Sequence, residues 1–490
     1  MEKKEVKPPE LLPRKEELTE WFNAVLIQAG IIDYSYPLKG CGVWLSYGWR
    51  LRNQVIEIMR RFLTETGHEE TYFPFLIPED IFGKEAEFIK GFENEVYWVT
   101  HGGKKELDVK LAIRPTSETP MYYMFSKWIK SISDLPLKVW QVVSVFRYET
   151  KATRPLIRVR EITTFKEAHT AHATEEEAER QVKEAVEIYK RFFDELCIPY
   201  IISRRPDYDK FPGAVYTLAF DTIFPDGRTL QIGTVHNLGE NFARAFNIQY
   251  TDKDGKRRYV HQTCYGISER VIASIIAIHG DNHGLVLPPE IAPIQVVVIP
   301  IPMKGENVEE YAKEVFEKLK KHFRATIDLR DKRPGEKFYE WEIKGVPVRV
   351  EVGPTELRNK NVTIVRRDNF EHKVVALENV VEEIKAEFEE ITKSMRKKAW
   401  NFFNKKICKV ERFIDLERED AINALLDEEG NFKRGIAKIP VCGNEKCELK
   451  IRKYVNVLGT PLTDSEPRQK EKCCMCNKPA EKYILISKAY

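Results

Sequence analysis

FRYETKATRPLIRVREITTFKEAH, Phe146 to His169, holds two short runs around a loop with Pro155 near its middle. The apolar run VWQVVSVF ends directly at Phe146 and reads as a buried strand. VREITTF, after the loop, alternates well enough to be its antiparallel partner. Arg147, Lys151, Arg154, Arg158 and Arg160 place five cations in this one hairpin. A phosphate chain on a sheet asks for planar bidentate donors, so a preponderance of arginine over lysine points to a polyanion. The competing account is a solvated edge hairpin whose charges block edge pairing.

Working outward, AHTAHATEEEAERQVKEAVEIYKRFFDELCIPY predicts an amphipathic helix, acidic at its start, with His169 and His172 near its beginning in structural polar contacts. YTLAFDTIFPDGRTLQIGTVHNLG predicts a strand pair turning at Asp226 and Gly227. Its second strand passes Gln231 and runs into Gly233, Thr234 and His236, and a glycine there permits close backbone approach by a ligand. YVHQTCYGISERVIASIIAIHG goes from strand through Gly266 into a buried helix starting around Ser268. Arg270 at the N-terminal end of that helix opposes the helix dipole and is costly to bury unless an anion pairs with it. Arg147 and Arg270 together argue for a phosphate clamp. Upstream, a strand ending at Leu111 to Ile113 meets Arg114 to Glu118 and then a helix. Thr116 or Ser117 is expected to cap it; the same hydroxyl and the Glu118 carboxylate suit a substrate ammonium. Gly67 to Pro74 predicts an apolar strand whose proline belongs at an edge, where a second subunit could pair.

The chain has 490 residues, enough for roughly three domains. Net charge is only +3 with 32% charged residues, so nucleic-acid contacts must come from local patches. The N-terminal stretch lacks an apolar signal region and no segment approaches a bilayer span, so a cytoplasmic location without membrane attachment is expected. LVLPPEIAPI marks a boundary, beyond which strands and helices alternate as in an α/β domain with a largely parallel sheet. The expected division is 1–288, 289–395 and 396–490. In the tail, Cys442 and Cys447 are separated by four residues, Cys473 and Cys476 by two, and the pairs by twenty-five. Two close thiolate pairs fit a closed tetrahedral zinc site, with Cys474 the rival to Cys473.

The Gly67 to Pro74 strand, Phe146 to Glu149 (FRYE) and the Gly266 to Arg270 segment, in this order along the chain, resemble the three signature motifs of class II aminoacyl-tRNA synthetases. RPTSE at Arg114 to Glu118, GTVHNLGENF at Gly233 to Phe242, HTAHAT at His169 to Thr174 and HGDNHGLVLPPEIAP after the last motif resemble prolyl-tRNA synthetases of archaeal and eukaryotic type. The resemblance covers nearly the whole chain. It implies an α+β multidomain fold: an antiparallel-sheet catalytic domain, an α/β anticodon-binding domain and a small α+β zinc-binding C-terminal domain.

The implied reaction is ATP-dependent activation of L-proline to prolyl-adenylate, then transfer to tRNA(Pro). Arg147 would bridge the substrate carboxylate and the α-phosphate, Glu149 would accept from the adenine amino group or order the acceptor end, and Arg270 would hold the far phosphates, with Mg²⁺ neutralising the rest. Arg158, Gln231 and Thr234 would complete the nucleotide site. Thr116 and Glu118 would take the imino group, with His236 and Ser268 lining the ring pocket and Tyr265 as a further wall. Lys151 to Arg154 would touch tRNA, the carboxylate of Tyr490 would reach the active site, and Glu351, Arg366 or Arg367 could read guanine edges. Zinc would be structural, and the chain a homodimer through Gly67 to Pro74. The motif's adenine-stacking aromatic falls at Ile162 by position, while one extra residue moves the aromatic to Phe165. Discrimination by one methylene in an apolar pocket is worth only ~1 to 3 kcal/mol, so misactivation of alanine or cysteine is expected. The alternatives are another class II synthetase of the same subgroup, or a catalytically silent tRNA-binding paralogue.

Overall fold

The computed structural model describes residues 11–83, 93–409, 435–463, 465–467 and 471–490. They form two compact units. One comprises the chain up to Asp33, Val43–Val55 and Ile275–Lys398; the other comprises Tyr34–Gly42, Ile56–Ser274 and Ala399–Tyr490.

The second unit is built on an eleven-stranded sheet. Its strands in chain order are β1 (Glu69–Glu70), β2 (Leu137–Phe146), β3 (Glu161–His172), β4 (Ile201–Arg204), β5 (Tyr216–Ile223), β6 (Thr229–Gly239), β7 (His261–Ile267), β8 (Ile407–Lys409), β9 (Ile436–Val441), β10 (Asn456–Pro461) and β11 (Lys482–Ser487). In space they run β8-β9-β11-β10-β4-β5-β6-β7-β3-β2-β1. Only the outermost pairings, β8 with β9 and β1 with β2, are parallel. The C-terminal strands therefore do not stand apart. Strand β10 pairs with β4 at Thr460↔Arg204 and Pro461↔Ser203 and continues the sheet.

Helix α1 (Glu118–Trp128) follows the RPTSE turn, and helix α2 (Glu175–Glu195) covers one face of the central strands. The Thr174 hydroxyl caps α2 by accepting from the Glu177 N–H at 3.2 Å, and Glu175 to Glu177 complement the dipole. Val182, Ala185, Tyr189, Phe192 and Phe193 make its buried stripe. Gly233 faces this stripe: a Cβ there would come within 3.2 Å of Tyr189 and 3.3 Å of Phe193. Its missing side chain serves helix packing, and its backbone lies in the lining of the ligand-sized cleft on the sheet. Helix α3 (Arg270–His279) follows β7.

Three local expectations are corrected. His169 and His172 lie at the end of β3, not at the start of a helix, because β3 pairs with β7 through His172↔His261 before the chain turns at Thr174. Strand β1 stops at Glu70, because the Phe73 N–H donates to the Gln141 side chain at 2.9 Å and its carbonyl accepts from Arg114 at 2.8 Å. Side chains have replaced the ladder there. Neither Thr116 nor Ser117 caps α1 with its side chain: Thr116 donates to Glu118, and the Ser117 hydroxyl accepts from Gln141 at 3.0 Å.

The first unit carries a five-stranded sheet in the order Ala325–Ile327, Val296–Pro300, Val348–Val352, Asn361–Arg366, His372–Ala376. The first two pairings are parallel and the last two antiparallel, so the sheet is mixed rather than largely parallel. Helix crossovers join the parallel neighbours, whereas the short helix Pro354–Asn359, ended by Lys360 in the left-handed region, and a turn at Asp368 to Phe370 fold the last strands back. Arg366 is clasped by Asp368 at 2.9 Å and Glu387 at 3.2 Å, and buried Arg367 by both oxygens of Asp281. Glu351 pairs with Arg349 at 2.8 Å. These three base-reading candidates are held in intramolecular ion pairs.

Candidate active site

A cleft of about 360 Å³ opens over β3, β5, β6 and β7. Arg147, Glu149, Arg158 and Arg270, then Gln231 and Thr234, then Thr116, Glu118, His236 and Ser268 all line it. The sheet brings together all ten candidates.

Two bulges make this possible. Strand pairs β2–β3 step from Val143↔Phe165 to Val145↔Ile162, so β3 carries one extra residue between Ile162 and Phe165. A bulge reverses alternation locally and lets residues three apart share a face. Ile162 and Phe165 both line the cleft as a result. In β6 the step from Phe220↔Gly233 to Asp221↔Gln231 inserts Ile232, which brings Gln231 onto the face of Thr234 and His236. The guanidinium of Arg147 lies 5.7 Å from the Phe165 ring centre.

The five cations of the hairpin divide by task. Arg160 donates to the Glu149 carbonyl and lies 4.2 Å from the Tyr148 ring, which fixes the loop. Arg154 stacks on Tyr490 at 5.0 Å. Lys151 is exposed and its N–H donates to the Glu149 carboxylate at 2.9 Å. Arg147 and Arg158 face the cleft. The Arg147 Nε donates to the Pro115 carbonyl at 3.1 Å, which anchors one edge of its guanidinium. Arg270 donates through Nε to the Ile157 carbonyl at 2.9 Å. Burial, together with Arg147 and Arg158, pushes the Arg270 pKa down to about 10. Burial also lowers Arg147, against the raising influence of Glu118. Three guanidinium groups lining one cleft, two of which disfavour the charge of Arg270, describe a site for a polyanion.

The cleft also has a buried acidic wall. Glu118 is buried, and its pKa is raised by desolvation and by Glu167. Burial also disfavours ionisation of Glu167, but hydrogen bonds from His169, Ser117 and Gln141 outweigh it and hold that carboxyl below its usual value. His169 is engaged on both nitrogens, with the Tyr122 hydroxyl at 2.9 Å and Glu167 at 3.4 Å. Donor atoms of Glu118, His169 and Cys264 lie within 4.8 Å of one another, but the imidazole's hydrogen bonds already explain its position. His236 Nδ1 meets the Thr217 hydroxyl at 2.8 Å, and its ring lies 4.8 Å from that of Phe211. Burial and His169 push the His236 pKa down to about 3, so this wall is neutral. A buried carboxylate beside flat, uncharged walls suits a small cyclic amine.

Glu167, His169, Phe211 and Cys264 were missed from the sequence. Alternation along β3 places Glu167 and His169 with Phe165, and the register Cys264↔His169 supplies the fourth wall. That signal required the strand to be extended past Phe165. Tyr265, expected as a pocket wall, is among the residues that line the cleft, and its hydroxyl meets His68.

Cys442, Cys447, Cys473 and Cys476 converge with all four Sγ atoms within 4.8 Å of one another. Cys442 lies 3.8 Å from Cys447 and 3.5 Å from Cys476. Tetrahedral zinc with Zn–S bonds of about 2.3 Å spaces sulfurs about 3.8 Å apart. Cys474 is outside the group.

Comparison with known proteins gives three consecutive family matches: tRNA synthetase class II core domain (G, H, P, S and T) over 97–279, anticodon binding domain over 295–387, and prolyl-tRNA synthetase C-terminal over 429–490. The proline–tRNA ligase of Methanocaldococcus jannaschii is 54% identical over 97% of this chain and 100% of its own length. That of Sulfurisphaera tokodaii is 53% identical over 97% and 98%. Among solved structures, Giardia lamblia prolyl-tRNA synthetase in complex with prolyl-adenylate superposes with a TM-score of 0.91 at 37% identity, covering 98% of this chain and 99% of the other. The Cryptosporidium parvum enzyme complexed with halofuginone and AMPPNP gives 0.90 at 33% identity, covering 98% and 97%.

Proposed function

The chain belongs to the prolyl-tRNA synthetases of archaeal and eukaryotic type, within class II, and from that membership we propose how its cleft works. It activates L-proline with ATP to prolyl-adenylate and transfers the prolyl group to tRNA(Pro). The observation that carries the residue assignment is the convergence of Arg147, Arg158 and Arg270 in one cleft with the buried Glu118.

Proline enters with its ring against His236 and Phe211 and its imino group toward Thr116 and Glu118, with Ser268 on the same wall. A carboxylate oxygen of proline attacks the α-phosphorus of ATP. The bond to the β-phosphate breaks, and pyrophosphate leaves. Charge on the non-bridging oxygens is met by Arg147, which spans the proline carboxylate and the α-phosphate as only a planar fork can. Arg270 holds the β- and γ-phosphates, Arg158 and Thr234 flank them, and Phe165 stacks on adenine with Gln231 and Glu149 at its edges. In the second step a hydroxyl of the terminal adenosine attacks the acyl carbon and AMP leaves. No protein nucleophile is needed, and positioning supplies most of the acceleration. Magnesium, a hard ion that binds through phosphate oxygens and one or two carboxylates, would neutralise the remaining phosphate charge when bound.

Cys442, Cys447, Cys473 and Cys476 hold a structural zinc, with no open ligand position for catalysis. Two chains associate through the edge at β1, beside which Tyr72 is 71% exposed, and the enzyme works in the cytoplasm with its tRNA. Among the described residues no helix is long and apolar enough to cross a membrane. Proline-dependent exchange of labelled pyrophosphate into ATP tests the assignment: it is expected in the wild type and abolished in Arg147→Ala. Exchange that survives Arg147→Ala would refute it.

A further inference from the structure

A second cavity of about 450 Å³ adjoins the first, walled on one side by β5 and β6 and on the other by the C-terminal segment from Arg452 to Leu458 with Tyr490. The two cavities share Arg205, Asp209, Gln231 and Arg270. Arg270 is thus the partition between them, and the reaction leaves its pyrophosphate there. While prolyl-adenylate occupies the main cleft, a product released beyond Arg270 need not pass it.

We propose that this second cavity is the route by which pyrophosphate leaves, with Lys453 and Arg452 as the cations that draw it outward. The inference rests on the proline-activating function of the main cleft. Four cationic side chains, Arg205, Arg270, Arg452 and Lys453, face two carboxylates, Asp209 and Asp221. Arg205 pairs with Asp221 at 3.0 Å and Arg452 with Asp209 at 3.2 Å, leaving Arg270 and the exposed Lys453 as the lining cations not taken up by these two side-chain carboxylates. Asp221 Oδ2 has no hydrogen-bond partner among the described residues. Asp209 and Asp221 among the lining residues keep anion binding weak, which suits passage rather than storage, since a route that binds its cargo tightly does not release it. Lys453 and Arg452 are exposed, so their charge can be changed without disturbing a core.

By microscopic reversibility, pyrophosphate enters by the path through which it leaves, so exchange of pyrophosphate into ATP reads the route without tRNA. The full chain is assayed at saturating proline and ATP with pyrophosphate varied. Lys453→Glu should raise the KM for pyrophosphate about fivefold or more, and the double variant Arg452→Glu/Lys453→Glu further. The KM values for ATP and proline should stay within about twofold, and Lys453→Arg should behave as wild type. An unchanged KM for pyrophosphate with a raised KM for tRNA would overturn the proposal and assign these cations to the nucleic-acid backbone. Equal rises for pyrophosphate and ATP would also overturn it, since they report distortion of the nucleotide site. Absence of proline-dependent exchange in the wild type would instead strike at the main cleft's function.

Discussion

Arg270 concentrates the chemistry at the scale of one residue. Its pKa is pushed down to about 10 by burial and by Arg147 and Arg158, so a phosphate chain bound there as proposed would relieve a repulsion that the free site carries. Arg270→Ala should cost about 10² to 10³ in kcat/KM for activation, the range for losing one preorganised electrostatic contact. Stopped-flow or exchange kinetics would read this; a loss under tenfold would mean that Arg270 does not meet transferring phosphates. Glu118 makes the complementary prediction. Its pKa is raised by burial, while binding of an imino cation needs the ionised form. Affinity for proline should therefore be complete above that raised pKa and fall as pH drops through it. The KM for proline against pH should show the fall in the wild type, and Glu118→Gln should remove the pH dependence while raising KM throughout.

At the scale of elements, the junction of β4 with β10 decides how the C-terminal segment reaches the nucleotide site. Gly459 has φ +114°, and a Cβ there would stand 2.1 Å from the Arg204 carbonyl oxygen. One residue on, Arg205 donates to the Leu458 carbonyl at 2.6 Å, to Asp221 at 3.0 Å and to Gln231 at 2.9 Å. Gly459→Ala should destabilise the protein by more than about 2 kcal/mol in denaturant unfolding, because backbone rather than a flexible side chain must move. Arg205→Met would leave Asp221 buried without its partner, at a cost of about 3 to 5 kcal/mol.

None of this junction was legible in periodicity, because pairing between strands some 250 residues apart leaves no local trace. The hairpin at Phe146 to His169 was legible, because its cations and alternation lie within one short window. Its register was harder to read. The extra residue before Phe165 was visible as a displaced aromatic, yet only the bulge shows why Ile162 and Phe165 both face the cleft. His169 and His172 were misplaced onto a helix because AHTAHATEEEAE suits either period until the cap at Thr174 is located. In the smaller sheet the first strands and helices were read, but the short helix Pro354–Asn359 and the edge strand His372–Ala376 were not, and the direction of the last two strands leaves no trace in the alternation.

For the whole molecule, burial of neutral histidines ties stability to pH. His68, His172 and His236 each have a pKa pushed down to about 3, first by burial. Unfolded histidine titrates near 6.5, so between roughly 6.5 and 3 the unfolded chain binds more protons. Stability from these groups should be full above about pH 6.5 and decline steadily as pH falls toward 3. Denaturation midpoints across that window would show it, and a flat profile would contradict it. The zinc claim belongs to this scale as well. Metal analysis of purified protein should find about one zinc per chain, and chelation should loosen the C-terminal strands while a metal-replete control stays folded.

The central claim is that this cleft selects proline and joins it to AMP. Exchange of labelled pyrophosphate into ATP, run with each amino acid in turn, tests it most directly. Proline should support exchange far faster than threonine, histidine or glycine, with alanine and cysteine measurable behind it by fewer than about five decades. Exchange driven best by any other amino acid, or by none, would contradict the account.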